Sequence, residues 1–147
     1  MTAARFGAIG LLCSLVLITG PVAAEATVEG VWLSGDGDGW IEIRQQGDEV
    51  VGVIAGSPNN KPGDPPRLDE KNPDPSLRHR ELDGMIFMTG FIYSGENRWS
   101  GGTIYDPNSG NTYKGTMRLV DRNTLKLRGY IGISLFGRSD TWTRVED

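Results

Sequence analysis

The chain reads as an all-β protein, an eight-stranded antiparallel up-and-down β-barrel. Three observations predict this. After residue 24 no stretch carries a long helical period. In its place stand eight short runs rich in β-branched and aromatic residues, each bounded by turn chemistry. Glycines recur inside those runs, at Gly52, Gly90, Gly101, Gly102, Gly115 and Gly129, and a small sheet needs such bends to close on itself.

The runs follow in order. Val28–Ser34 leads into Asp36-Gly37-Asp38-Gly39, a tight turn, and Trp40–Gln46 follows. Gln46-Gly47-Asp48 turns the chain into Glu49–Ser57. Pro58 to Arg80 then carries Pro58, Pro62, Pro65, Pro66, Pro73 and Pro75. Proline supplies no ladder donor, so this segment is a long surface loop. In Gly84–Ser94, Phe87, Phe91 and Tyr93 share one face and Ile86, Met88 and Ile92 the other. Two apolar faces predict cover on both sides. Arg98–Tyr105 ends at Asp106-Pro107-Asn108-Ser109-Gly110. In Thr112–Val120, inward Tyr113, Met117 and Leu119 alternate with Lys114, Thr116 and Arg118. Asp121-Arg122-Asn123 makes a short hairpin. In Thr124–Ile131, Leu125, Leu127 and Ile131 oppose Lys126, Arg128 and Tyr130. Ile133–Gly137 suits a single helical turn, and Ser139–Val145 is the last strand. A meander of this kind avoids sticky edges by closing. Its charged faces deny the continuous lipid-facing band of an outer-membrane barrel.

The N-terminus predicts export. Arg5 is the one charge before Glu25, an apolar run extends from Phe6 to Gly20, and Pro21-Val22-Ala23-Ala24 ends it in small residues. This is the pattern of a cleavable signal peptide, residues 1–24, with cleavage near Ala24. The run is too short for a spanning anchor. Residues 25–147 then form a single barrel domain, periplasmic or secreted, with no transmembrane segment. Losing Arg5 takes the formal charge from −4 to −5. An acidic surface predicts no nucleic-acid partner. Cys13, the one cysteine, leaves with the signal, so the mature chain has no disulfide and no thiol chemistry.

Two motifs lie on the first and last strands, Gly30-Val31-Trp32 and Trp142-Thr143-Arg144. They resemble the lipocalin and fatty-acid-binding group, where a Gly-x-Trp opens the first strand and a basic residue near the last strand covers the Trp. The resemblance implies that Trp32, Trp142 and Arg144 close the barrel, with Arg138 as a second candidate for the cap. More extensive motifs run through Gly102-Thr103-Ile104-Tyr105-Asp106-Pro107, Tyr113-Lys114-Gly115, Arg128-Gly129-Tyr130-Ile131-Gly132, Leu135-Phe136-Gly137-Arg138 and Thr141-Trp142-Thr143-Arg144, with Asp69-x-x-Asn72-Pro73 and Leu77-Arg78-x-Arg80 between. Together these resemble a bacterial family of exported proteins, a domain of unknown function with a lipocalin-like barrel. The resemblance implies fold and export and carries no catalytic residues.

Residues that could bear chemistry are few. His79 stands alone between Arg78 and Arg80, and a catalytic or metal role would need a second His or a Cys beside it. Asp36 and Asp38 begin like a calcium loop, but Gly47 occupies the position that needs a bidentate acid. No metal and no cofactor is expected. Glu42 and Arg44 are expected to pair on the exterior. Arg67, Arg78 and Arg80 are expected to pair with Asp64, Asp69, Glu70, Asp74 and Glu81. No Ser–His–acid set or spaced carboxylate pair is present, so the sequence predicts no enzyme.

Phe91, Tyr93, Trp99, Tyr105 and Tyr113, with Arg128, are the candidates to line a ligand cavity, and Gly101, Gly115 and Gly129 would open room among them. The expected function is binding of a small hydrophobic or amphipathic ligand in the barrel. The alternative is a solid-core cell-envelope module that captures a protein or cell-wall partner through the Pro-rich loop 58–80.

Overall fold

The computed structural model describes residues 27–133, 135 and 137–145. The expected signal peptide lies outside the described residues, as do parts of the helical turn expected over Ile133–Gly137. Eight strands close into one antiparallel barrel in chain order: β1 (Gly30–Leu33), β2 (Trp40–Gln46), β3 (Glu49–Gly56), β4 (Ile86–Gly95), β5 (Arg98–Asp106), β6 (Asn111–Asp121), β7 (Thr124–Tyr130) and β8 (Arg138–Arg144). The seam is the β1–β8 ladder, where Trp32 faces Arg144 and Leu33 faces Thr143. One short 3-10 turn, Pro75–Leu77, interrupts the long β3–β4 connection.

An up-and-down meander sends alternate connections to opposite ends. The β2–β3, β4–β5 and β6–β7 turns gather at one end with residues 27–29. The other three connections, including the long one, gather with the β1–β2 turn at the other. The first end is solidly filled. Trp32, Phe91, Leu125, Met117, Leu119, Val50 and Trp99 are all buried there in one cluster. Val28 folds across beneath them, accepting a 2.9 Å hydrogen bond from the Trp32 indole.

Glycines make that packing fit. A Cβ on Gly102 would lie 2.3 Å from the Phe91 ring, and one on Gly115 would lie 2.7 Å from its tip. The phenyl ring therefore occupies the space that side chains would otherwise fill on β5 and β6, in the manner of an aromatic covering sheet glycines. Gly90 and Gly101, both with positive φ, sit beside each other as bulges in β4 and β5.

The Gly90 bulge corrects the simple alternation expected for β4. Met88 and Phe91, three residues apart, both enter the core. Ile86 and Ile92 face outward at 40% and 48% exposure, so the outer face of this strand is open rather than covered. β6 and β7 alternate as predicted, with Met117, Leu119, Leu125 and Leu127 buried. Ile131 does not continue the inward row. It lies beyond the end of β7, 70% exposed.

Candidate functional site

At the second end the barrel is open. Ile41, Ile54, Phe87, Ile104, Leu127 and Trp142 come from six different strands, and they line one space of ≈ 500 Å³. Only the lumen can bring those six together. A second lobe of ≈ 620 Å³ shares Ile104, Asp106, Leu127 and Asp140 with the first and is bounded also by Tyr113, Gly129, Tyr130, Ile131 and Arg138. The cavity floor is apolar. Its rim is polar and carries Asp36, Asp38, Asn59, Asp106, Asn108 and Asp140.

Each rim carboxylate is held by local donors. Asp36 accepts from the Ser34 hydroxyl at 2.5 Å and from the Asp38 amide at 3.1 Å. The Ser34 bond first, then the amide, lower its pKa below the ordinary carboxylate value. Asp38 accepts from the Asn59 side chain at 2.8 Å. Asp106 accepts from the Asn108 amide and the Ser109 hydroxyl, which knits the β5–β6 turn. Asp140 accepts from the Trp142 indole at 2.7 Å, tying the rim to the floor. Arg67, which also lines the cavity, is already paired with Asp83.

The expected ligand residues divide. Tyr113 borders the second lobe and Tyr105 the first. Tyr105 does so from outside the lumen, since Ile104 takes the inward position beside it. Phe91 and Trp99 lie in the filled half and form packing there, not cavity wall. Tyr93 sits opposite Trp99 at the closed end, their rings 5.2 Å apart, and is 56% exposed. Arg128 is corrected as a lumen residue. It alternates with the buried Leu127 and so faces outward, donating to the Ser139 hydroxyl and the Leu135 carbonyl. Among the cavity residues missed in the sequence are Trp40, Phe87, Asp106 and Asp140. The inward phase of β8, set by Trp142, is the signal that would have found Asp140.

The barrel-closure residues also divide. Arg144 lies over Trp32, 4.2 Å from the ring centroid. It donates to the carbonyls of Thr27, Glu29 and Arg122, at 2.6, 2.7 and 2.7 Å. Burial first, and the Arg122 charge second, lower its pKa from the ordinary guanidinium value. Trp142 is buried in the core between the two halves. Arg138 is corrected as a cap: it begins β8, at the open end, and borders the cavity.

The long loop is anchored by its own motif residues. Asp69 is fully buried and accepts from Tyr105 Oη at 2.6 Å, Asn72 Nδ2 at 2.7 Å and Arg80 Nη2 at 2.7 Å. Burial opposes ionisation of Asp69, but the three donors outweigh it and its pKa is lowered. The same environment pushes the Tyr105 hydroxyl up to about 12, through burial and then the Asp69 bond. Arg78 donates to the Asn72 carbonyl. Of the pairs expected for the basic cluster, Arg80–Asp69 forms; Arg67 pairs instead with Asp83, beyond the loop, and Arg78 bonds a backbone carbonyl. Glu42 and Arg44 meet on the exterior at 4.0 Å, both half-exposed. Among the described residues no His, Cys, Asp and Glu group could hold a metal ion, and no helix is long and apolar enough to cross a membrane.

Comparison with known proteins agrees with the architecture. One solved structure matches closely in shape: "Protein HP1028 from the human pathogen Helicobacter pylori belongs to the lipocalin family". The match has a TM-score of 0.76 at 21% identity and covers 84% of this chain and 86% of that one. At that identity the likeness shows the fold: this barrel is lipocalin-like. No curated protein matches the chain. A family model described as "Uncharacterized protein conserved in bacteria (DUF2147)" matches residues 30–144, from the first residue of β1 to the last of β8. The chain belongs to that bacterial family.

Proposed function

We propose that this protein is an exported, non-enzymatic carrier that holds a small amphipathic molecule in the open half of its barrel. One observation carries the proposal: the lumen is filled at one end and open at the other, where an apolar floor lies under a polar rim. Such a shape suits a ligand whose apolar part enters first and whose head group stays at the mouth. Four carboxylates at the rim favour a head group that donates hydrogen bonds or carries positive charge, and disfavour a free fatty acid. Export to the periplasm rests on the sequence of residues 1–24 alone. The loop 58–80 gives the partner-capture alternative less support, because Asp69, Asn72, Arg78 and Arg80 are engaged in holding the loop itself.

Native mass spectrometry of the protein purified from its own host's envelope tests the proposal. A small co-purifying mass, lost on mild denaturation, is expected. A bare monomer from every preparation, together with no quenching of tryptophan fluorescence by any amphiphile, would overturn it, since Trp40 and Trp142 both border the cavity.

A further inference from the structure

On the outer wall of the barrel, far from the mouth, three cations face one another across two ladders. Arg98 on β5 is the register partner of Arg118 on β6, and Arg118 is the partner of Lys126 on β7. All three are exposed and alternate with the inward residues Trp99, Met117 and Leu127. They border a groove of ≈ 480 Å³. None is in any of the ion pairs of the described residues, which join Glu42 to Arg44, Asp83 to Arg67 and Asp69 to Arg80.

This row is costly for the fold. Strands stand about 4.8 Å apart, so directly opposed like charges repel. The chain has 19 acidic residues against 15 basic ones, and a ladder needs no cation at these positions. On the same outer face, Ile92 and Val120 are 48% and 44% exposed. Ile92 is the register partner of Ser100, which borders the groove, and Val120 lies two residues beyond Arg118 on β6. An exposed row of three cations beside exposed apolar side chains fits an anionic lipid surface. The cations meet headgroup phosphates and the apolar side chains enter the interface. A soluble polyanion would use the charges but leave Ile92 and Val120 without a role.

We infer that the outer face of β4–β7 docks this protein on anionic phospholipid bilayers through Arg98, Arg118 and Lys126. The test is flotation of the purified protein with vesicles of phosphatidylcholine alone or enriched in phosphatidylglycerol. Binding is expected only to the phosphatidylglycerol-rich vesicles and should fall as salt rises. The R98Q/R118Q/K126Q variant should bind about a hundredfold more weakly, at about fivefold per cation. Its melting temperature should hold or rise, because like-charge repulsion is relieved, so lost folding cannot mimic the result. I92S/V120S should weaken binding while keeping the salt dependence. Equal binding to both vesicle types, no binding to either, full binding by the triple variant, or binding to heparin or nucleic acid in place of vesicles would each overturn the inference. So would complete competition by inorganic phosphate at low concentration, which would mark a discrete phosphate site and not a bilayer.

Discussion

Arg144 covers the indole of Trp32 at 4.2 Å and at the same time ties down the N-terminal segment through the carbonyls of Thr27 and Glu29. One side chain thereby closes the seam between β1 and β8 and the floor of the barrel. Its planar fork can address three carbonyls while the ring is stacked beneath it, which an ammonium cannot do.

Replacing Arg144 with Ala should therefore cost about 2–4 kcal/mol, from the lost cation–π contact and the charge-assisted bonds. Arg144→Lys should recover less than half of that. Urea unfolding followed by tryptophan fluorescence measures both, and equal stability of Arg144→Lys and the parent would refute this account of the fork.

Phe91 and Gly102 form a lock of ring and glycine. Gly102→Ala should destabilise by roughly 1–3 kcal/mol, because the added methyl meets the ring at 2.3 Å. Phe91→Leu alone should also destabilise, through lost packing. The pair should be less than additive, since the smaller side chain admits the methyl. A double-mutant cycle by chemical denaturation reads the coupling, and strict additivity would show that the ring does not rest on this glycine.

Gly129 provides the contrast. A Cβ there meets nothing nearer than 3.6 Å. Gly129→Ala should leave stability within about 0.5 kcal/mol of the parent. Gly129→Leu should project into the second cavity lobe and weaken amphiphile capture about tenfold or more by steric exclusion. Calorimetric titration beside a thermal melt separates the two effects. Unimpaired capture by a folded Gly129→Leu protein would remove this lobe from the ligand site.

The Asp69–Tyr105 pair sets a pH window for the long loop. Asp69 has a folded pKa below its ordinary 3.8, so its contribution is complete above that value and is lost as pH falls through the folded one. Tyr105 is raised from 10.0 to about 12, so its contribution is complete below pH 10.0 and is lost as pH rises toward 12. Tyr105→Phe should cost about 1.5–3 kcal/mol at neutral pH and remove part of the alkaline loss. Asp69→Asn should flatten the acid limb. Hydrogen exchange of loop amides across pH reports both, and a parent-like acid limb in Asp69→Asn would assign the acid sensitivity to other carboxylates.

Much of the barrel was legible in the residues themselves. Period-two alternation and turn chemistry located all eight strands, because both act within a few neighbouring residues. The Trp32–Arg144 contact came from the resemblance of Gly30-Val31-Trp32 and Trp142-Thr143-Arg144 to the lipocalin group, and closure of the sheet sets those two strands side by side. Other features had no local signal. Arg138 shares a strand with Arg144 and looked equivalent, yet a strand of that length spans about 20 Å and places them at opposite ends of the barrel. Arg128 is the counter-example: its alternation with Leu125 and Leu127 sets it outside the lumen, against the expectation that it joins the ligand aromatics.

Sequence alone determined the strands and their faces in β6 and β7, because these depend on short-range periodicity. Tertiary structure decided which half of the lumen is filled and which is open. That outcome depends on one ring, Phe91, finding two glycines on neighbouring strands, and on a bulge at Gly90 that turns it inward. It likewise decided that Arg98, Arg118 and Lys126 stand in one row, since register between strands is a property of the closed sheet and not of any single strand.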